Sequence, residues 1–570
     1  MPRYSDRARR PGSLGFARER GGNVAILFAF LSVPMLMFTG AAIDYGFATR
    51  LETKLQAATD ATALLLCQTP LTTSNADLNR MAQAAMNGAM GASDLVVDTL
   101  AITSNPRQIT LTAHKLSTVF FGKVTGTNRI NPGATAQCAT PLPKTFEIAL
   151  VLDNTGSMAA SSGGQSKLQA VQSAATDFVN YVYTNAAFSS ATRVSIVPFA
   201  GAVAVDPVTN RYAGWIDQTG KSSLHWTNVL SASGSGFASR FDIFAKLQAA
   251  NSGWGWAGCL ETLPYPLNVQ DGAPTAANKD SYFVPLFSPD EPGDASSGYR
   301  DFSDSSGSYR SYNSYIDDDT SSSGGACPVK GLSYDAALGR ACKYTSPRNA
   351  TSNSYLGIPN GPNFGCTTRP LLPLTNDTGA LKGLINNMAP LGATNIHEGF
   401  MWGWRTLSPK SVFAGTSTPA AYAPASNASN STTINKIIIL MTDGTNSWST
   451  NASAPTGSLY FAAGYFQNAN DTSANLRLPP NNQNVKDTTS ARNALDALTA
   501  EACRNAKAVN IAIYTIGFSV PSDPIDAAGQ TLLRNCATNP GQFYLANTSD
   551  DLIKAFKQIQ ASIGALRLTH

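Results

Sequence analysis

The hydrophobic and polar positions of this chain change period several times, and each period predicts a different element. Val24 to Ile43 is a run of 20 residues without a charged side chain. Beyond it, apolar residues recur at helical spacing as far as Cys67, and a second helical stretch covers 76–87. From 109 to 113 the period becomes two, after the turn Ser104-Asn105-Pro106, which predicts a β-hairpin. A long helix followed by a small α+β region is therefore expected.

Continuous apolar runs, which are typical of buried parallel strands, dominate the second part of the chain. They lie at 146–152, 193–199, 436–441 and 511–516. Amphipathic helical faces separate or follow these runs, formed by Leu168, Val171, Ala175, Phe178, Val179 and Val182, by Ala491, Leu495, Leu498 and Ala502, and by Leu552, Phe556, Ile559 and Ile563. Strands that alternate with helices predict an α/β fold with a doubly wound, mostly parallel sheet.

The alternation stops between 206 and 375, where Gly, Ser, Asn, Asp and aromatic residues dominate. Long structureless loops are uncommon in compact domains, so we expect a partly ordered, inserted lobe. Four of the eight cysteines lie in it: Cys259, Cys327, Cys342 and Cys366. They allow three pairings, of which we favour the nested one, with 327–342 inside 259–366.

The other four cysteines have their own expected places. Cys503 and Cys536 flank the strand at 511–516 and could join the two helices beside it, while Cys67 and Cys138 bracket the N-terminal α+β region. An even number of cysteines in an exported chain favours disulfides in an oxidising compartment.

Charge is concentrated at the N-terminus. Residues 1–23 contain six arginines against Asp6 and Glu19, which is a net +4, and the whole chain also carries +4. The remaining residues are neutral overall, which excludes a basic nucleic-acid binder. Arginines before the apolar run predict a single-pass inner-membrane helix at 24–43, with the N-terminus cytoplasmic and the rest periplasmic or extracellular. A cleaved signal peptide is the alternative, because residues 40–42 are small, although its apolar region is usually shorter.

Oxygen-bearing side chains follow the predicted strands in three distant loops. Asp153, Thr155 and Ser157 come after the strand at 146–152, Thr394 precedes a helix that begins near 396, and Asp443 comes after the strand at 436–441. Ligands of open α/β sheets bind at the carboxyl ends of strands. Hard oxygen donors suit Mg²⁺, with Mn²⁺ or Ca²⁺ as alternatives, rather than Zn²⁺. Taken singly, Asp153 could cap a helix and Asp443 could begin a turn.

This set resembles the metal-ion-dependent adhesion site of von Willebrand factor type A domains, whose pattern is Asp-x-Ser-x-Ser, a Thr and a second Asp. The resemblance implies that Ser157 and Thr394 are hydroxyl ligands and that Asp153 and Asp443 are the carboxylates. Thr155 replaces the usual Ser and keeps the hydroxyl. It also implies a Rossmann-like type A domain over 144–205 and 376–570, interrupted by the insertion at 206–375.

A second resemblance concerns the N-terminus. Residues 20–26 and 42–46 resemble the TadE/TadG-like region of tight-adherence (Flp) pilus assembly proteins, and residues 289–292 and 402–409 also look like TadG-family segments. This implies a cytoplasmic segment at 1–23, the membrane helix at 24–43 and a pilin-like region at 44–143, for which a generic stalk is the alternative. Leu27 stands where related prepilins carry Glu, which favours a permanent anchor.

Together these features predict a membrane-anchored, non-enzymatic pilus assembly or adhesion component. Its type A domain would bind a carboxylate of a protein ligand through Mg²⁺, and the resemblance implies pilins or other assembly proteins as partners. A surface adhesin for a host or matrix ligand is the alternative. A Mg²⁺-dependent phosphotransferase is less favoured, because Thr155 replaces the second carboxylate of an Asp-x-Asp motif. We interpret Asp317–Asp319 as a solvated loop, with a second cation site as the alternative.

Overall fold

The computed structural model describes residues 23–70, 73–91, 95–103, 107–122, 126, 128–139, 144–185, 187–229, 236–294, 301–321, 325–348, 353–423, 434–468 and 475–564. The arginine-rich segment 1–22 and the turn predicted at 104–106 lie outside these residues. The chain divides into two compact units, with the boundary after residue 142.

The first unit is built on one long helix, α1 (Asn23–Cys67), which continues without a break beyond the apolar run, as predicted. A second helix, α2 (Asn75–Met90), packs on it together with an antiparallel sheet in the order β1-β2-β5. The strands are β1 (Leu95–Thr103), β2 (Gln108–Lys115), β3 (Ser117–Thr118), β4 (Arg129–Ile130) and β5 (Gly133–Ala139). The β1–β2 pairing confirms the predicted hairpin. A disulfide joins Cys67, at the end of α1, to Cys138 in β5.

The apolar part of α1 is exposed in this unit. Among the described helices, one segment, Val24–Cys67, is long and apolar enough to cross a membrane, and 6% of its most hydrophobic window is buried. By contrast, the later part of the same helix supplies the core of the unit, where Leu55 and Leu66 pack against Ile109 and Leu111 of β2.

The second unit contains a six-stranded sheet in the order β14-β9-β6-β15-β16-β17. Neighbouring strands are parallel except β14 and β9, which are antiparallel. The strands are β6 (Phe146–Asp153), β9 (Arg193–Phe199), β14 (Leu372–Thr375), β15 (Asn435–Thr442), β16 (Ala512–Phe518) and β17 (Phe543–Ala546). Between β6 and β9, the short strands β7 (Ser161–Ser162) and β8 (Gln165–Ser166) pair with each other outside this sheet. All four predicted apolar runs are strands of this sheet, which confirms the α/β class.

Helices cover both faces of the sheet. Ile148 and Leu150 of β6 face a core formed with α3, α6 and α10, whereas Ala149 and Val151 face a core formed with α7 and α8. The helices of this unit are α3 (Lys167–Thr184), α4 (Arg240–Ala250), α5 (Tyr334–Leu338), α6 (Thr378–Asn386), α7 (Ile396–Leu407), α8 (Thr488–Ala508), α9 (Ala527–Cys536) and α10 (Ser549–Gly564). The predicted apolar faces of α3, α8 and α10 point into these cores.

The described residues of the insertion form a lobe that shares the α7 side of the core. It contains α4, α5 and short two-residue to four-residue strands, namely β10 (Asp301–Asp304), β11 (Gly307–Arg310), β12 (Ser354–Tyr355) and β13 (Ile358–Pro359). Its disulfides, 259–366 and 327–342, have the predicted nested pairing, and Cys503–Cys536 joins α8 to α9. The insertion ends before the predicted residue 375, because β14 is an edge strand of the sheet. This strand has only four residues, and one of them is Pro373, so its sequence does not show the apolar pattern of a strand.

The interpretation of Asp317–Asp319 as a solvated loop is wrong. All three residues are buried. Asp318 forms an ion pair with Arg340 and accepts a hydrogen bond from the Gly293 N–H, and Asp319 pairs with Arg348. Burial and the nearby Asp290 raise the pKa of Asp318 to about 6, although Lys343 and Arg340 oppose this. Asp318 and Asp319 are thus paired with basic side chains of the lobe.

Gly403 allows α7 to lie directly on the central strand β6. A Cβ atom at this position would lie 2.3 Å from Cγ2 of Val151, a stiff β-branched side chain in the core. We expect Gly403→Ala to lower the free energy of unfolding by about 1–3 kcal/mol through overpacking. Gly383→Ala in α6 is the matched control, because a Cβ there meets nothing within 4 Å and should stabilise the helix. Denaturant unfolding of both variants measures the difference, and equal effects would contradict the packing argument.

Candidate metal centre

The carboxyl ends of β6 and β15 meet at one edge of the sheet. These strands are parallel neighbours, with Leu152 opposite Met441, so the residues that follow them are brought side by side. Asp153 is the last residue of β6 and Asp443 directly follows β15. Two carboxylates that are 290 positions apart in the sequence therefore lie at the same corner of the sheet. This corner is buried, since both residues are less than 2% exposed.

Four of the five predicted site residues are linked by hydrogen bonds. The Ser157 hydroxyl donates to Asp443 Oδ1 at 2.8 Å and lies 3.0 Å from the Thr155 hydroxyl. Asp153 Oδ1 accepts the Thr155 backbone N–H at 2.8 Å, and its Oδ2 accepts the Thr442 hydroxyl at 2.6 Å. The loop after β6 thus turns its hydroxyls toward the carboxylate of the second strand.

Thr394, the fifth residue, lies at the same corner. A Cβ atom built on Gly444 would be 3.9 Å from the Thr394 hydroxyl and 4.0 Å from the Ser157 hydroxyl. The Gly156 N–H donates to the Gly392 carbonyl, which joins the first loop to the loop that carries Thr394. The Thr394 N–H donates to the Ser447 hydroxyl, and Ser447 N–H donates back to the Thr394 carbonyl. All five predicted side chains are therefore brought together.

A buried lysine that the sequence pattern does not predict also reaches this corner. Lys167, the first residue of α3, places its ammonium 2.8 Å from Asp443 Oδ2 and 2.7 Å from Asp523 Oδ2. The Lys167 side chain is fully buried, whereas that of Asp523 is half exposed. A single charged residue beside the apolar face of a helix gives no sign of burial, because lysines are almost never fully buried unless paired.

Two buried carboxylates lie close together at this corner, so ionising both of them is unfavourable. Burial, and then the charge of Asp443, raise the pKa of Asp153 to about 7, although hydrogen bonds from Thr442 and Thr155 oppose the shift. Burial also raises the pKa of Asp443, which Lys167 counteracts. A bound cation would stabilise both carboxylates, as opposite charges do for buried acids.

The donor set fits a hard divalent cation. It offers two carboxylates and three hydroxyl groups from three loops, and oxygen ligands of this kind suit Mg²⁺ or Ca²⁺. In the described part of the chain, no group of three or more His, Cys, Asp and Glu side chains is placed to hold a metal. Any metal at this corner would therefore need the hydroxyl groups as ligands. Asp153, Thr155, Ser157, Thr394 and Asp443 are the residues that could hold it.

An uncharged cavity of about 310 Å³ opens beside the three loops. Gly156, Gly392 and Ala393, which adjoin the candidate ligands, form one side of it, and Leu356, Phe364 and Phe461 contribute from the lobe and from the segment after β15. Trp448 is buried at its wall, stacked on Phe461 with ring centroids 4.9 Å apart. A ligand at the carboxylate corner would thus have an apolar surface next to it.

His397, the histidine nearest to Thr394 in sequence, lies in the core. Its Nε2 donates to the Asn268 carbonyl oxygen at 2.9 Å, and its buried Nδ1 has no hydrogen-bond partner. Burial lowers the pKa of this imidazole. Its contacts are those of a neutral histidine that supports the packing of α7.

Comparisons with solved structures give weak similarities. The von Willebrand factor domain of a type V pili tip protein from Porphyromonas gingivalis aligns at 12% identity and TM-score 0.32, covering 75% of this chain and 99% of that one. The minor pilin PilB from Streptococcus sanguinis aligns at 13% identity and TM-score 0.30, covering 83% of this chain and 78% of that one. A pilus adhesin from Streptococcus pneumoniae aligns at 10% identity and TM-score 0.32, covering 82% of this chain and 48% of that one. These scores are too low to establish a shared fold.

Sequence comparisons identify the N-terminal segment. A search of curated proteins finds no significant match to the chain. The family model of Flp pilus-assembly TadE/G-like proteins matches residues 22–65, which include most of α1, the motif at 42–46 and the last five residues of the motif at 20–26. The segment 22–65 is therefore a TadE/G-like region of the Flp pilus-assembly family.

Proposed function

We propose that this protein is a membrane-anchored, non-enzymatic component of a tight-adherence pilus system that binds a protein partner through Mg²⁺. The gathering of five side-chain oxygens from three distant loops at one end of the sheet carries the proposal. The TadE/G-like match at 22–65 supports the pilus context, and the apolar first half of α1 supports the membrane anchor. Six arginines before the apolar run favour a cytoplasmic N-terminus.

The second unit acts in this proposal as a type A domain, formed by 144–205 and 372–564, with the lobe at 206–371 inserted in it. Hydroxyl ligands leave a divalent cation with much of its positive charge, so it can accept a carboxylate from another molecule. The uncharged cavity beside the corner gives that partner an apolar contact. A pilin or another assembly protein that presents an acidic side chain is the expected ligand.

Divalent cation binding is the direct test. Mg²⁺ should raise the denaturation temperature of the purified full chain, because a ligand at about 100 times its Kd stabilises a protein by about 2.7 kcal/mol. Asp153→Ala and Thr394→Ala should each remove this response. Asp551→Ala is the control, since that residue lies partly exposed in the first turn of α10 and pairs with Lys554. If both site variants keep the full Mg²⁺ response, the cation binds elsewhere and the proposal fails.

The adhesin alternative predicts the same metal but another partner. Cross-linking pull-downs with the full chain, with Mg²⁺ or with EDTA, separate the two. Mg²⁺-dependent capture of pilus subunits supports assembly, whereas capture of matrix or host proteins, with pili intact in a deletion strain, supports the adhesin.

A further inference from the structure

The end of the apolar run in α1 is covered by a loop from the sheet region of the same unit. Asp44, the first charged residue after Val24–Ile43, is only 4% exposed. Its carboxylate accepts the backbone N–H groups of Phe120 at 2.8 Å and Phe121 at 2.9 Å. One carboxylate thus fixes the loop to the helix at the point where the apolar run ends.

Gly40, one turn earlier in α1, makes room for the same loop. A Cβ atom at this position would lie 2.7 Å from both Cβ and Cγ of Phe121. The loop therefore reaches back along the apolar run by about one helical turn beyond Asp44. Both Gly40 and Asp44 belong to the segment that matches the TadE/G-like family model. Each has a structural role in holding this loop, because Gly40 leaves space for Phe121 and Asp44 accepts the backbone N–H groups.

The loop and the adjacent helix expose aromatic rings. Phe120 is 68% exposed and Phe121 45%, and Tyr45 and Phe47 on α1 are 71% and 46% exposed. The rings of Phe47 and Phe120 lie together, with centroids 5.7 Å apart. Large apolar side chains left open to water in a continuous group mark an interaction surface.

We infer that the Phe120–Phe121 loop is a second membrane contact, inserted at the bilayer interface beside the end of the α1 span. This inference rests on the proposed membrane anchoring by α1. The patch is continuous with the apolar run, and aromatic residues are enriched at the two membrane–water interfaces. Backbone N–H groups at this depth lose their water, and Asp44 supplies the acceptors that they need. The occupant of the surface is therefore lipid rather than a protein.

Depth-dependent fluorescence quenching tests the inference with the full chain in nanodiscs of phosphatidylethanolamine and phosphatidylglycerol. The seven native tryptophans all lie between 215 and 448, so they form a constant background. The added fluorescence of Phe120→Trp should be quenched by lipids brominated near the headgroup end of the acyl chain, and less by lipids brominated near the methyl end.

Two variants keep the outcomes separate. Gln108→Trp is the matched control in the same unit, because position 108 lies near the other end of α1. Its neighbour Arg107 donates to the carbonyls of Leu66 and Thr69, and Leu66 is about 33 Å along α1 from Asp44. It should not be quenched. Phe30→Trp, within the apolar run, reports insertion of the span. Quenching of Phe30→Trp without quenching of Phe120→Trp overturns the loop contact alone, and quenching of neither overturns the membrane anchor as well.

Discussion

Replacing Lys167 by methionine should make the stability of the second unit depend on a divalent cation. The lysine ammonium lies between Asp443 and Asp523 and is fully buried. Without it, Asp443 remains buried beside Asp153 with no positive charge at hydrogen-bond distance. Removing one partner of a buried ion pair lowers the free energy of unfolding by about 3–5 kcal/mol. A cation held by the same carboxylates restores the missing charge, so Mg²⁺ should recover much of the loss.

The measurement is denaturant unfolding of the full chain in Mg²⁺ and in EDTA. Wild type should show a modest difference between the two conditions and Lys167→Met a large one. Lys554→Met is the control, because its ion pair with Asp551 is on the surface and 69% of the lysine side chain is exposed. Such pairs contribute about 0–1 kcal/mol. An equal loss for Lys167→Met in both conditions would mean that no cation reaches Asp443.

Glu261→Ala should be among the most destabilising single changes in the lobe. The Glu261 carboxylate, 1% exposed, binds Arg240 of α4, and it also binds Arg477 and the Tyr460 hydroxyl. Burial tends to lower the pKa of Arg240, but Glu261 and Tyr460 raise it. Truncation at 261 would leave two fully buried guanidinium groups without their carboxylate, which costs about 3–5 kcal/mol.

Two companion variants test the cause of that loss. Glu261→Gln keeps the volume and part of the hydrogen bonding but not the charge, so its unfolding free energy should lie between wild type and Glu261→Ala. Glu501→Ala is the control, because Glu501 is not among the buried acids of the second unit and accepts a long hydrogen bond, 3.3 Å, from the Tyr265 hydroxyl. The free energies come from denaturant unfolding. If glutamine and alanine at 261 cost the same small amount as Glu501→Ala, the network adds little stability.

The continuous apolar runs made the central strands of the second unit predictable. The runs at 146–152 and 436–441 predicted β6 and β15, because short, continuous apolar runs are typical of buried parallel strands. The candidate ligands could be found from the same pattern, since they directly follow the ends of those strands. Thr394 was harder to place, because its position depends on the loop before α7 rather than on a strand end.

Charged groups that become buried were not predictable in the same way. Lys167 meets Asp443 across 276 residues of sequence, and nothing near either residue indicates the partner. Asp318 was interpreted as solvated because an aspartate run usually is, yet inside the lobe it pairs with Arg340 and accepts a hydrogen bond from the Gly293 N–H. Such pairs depend on long-range packing, so local composition gives the wrong exposure for them.

The bond between Cys67 and Cys138 determines how a pulling force would travel through the protein. Helix α1 ends at Cys67, and Cys138 lies four residues before the boundary of the first unit at residue 142. Tension from a partner held by the second unit would therefore pass from residue 139 through the disulfide directly into α1. Residues 68–137 would carry none of this load, so the sheet of the first unit need not resist unzipping for the tether to hold.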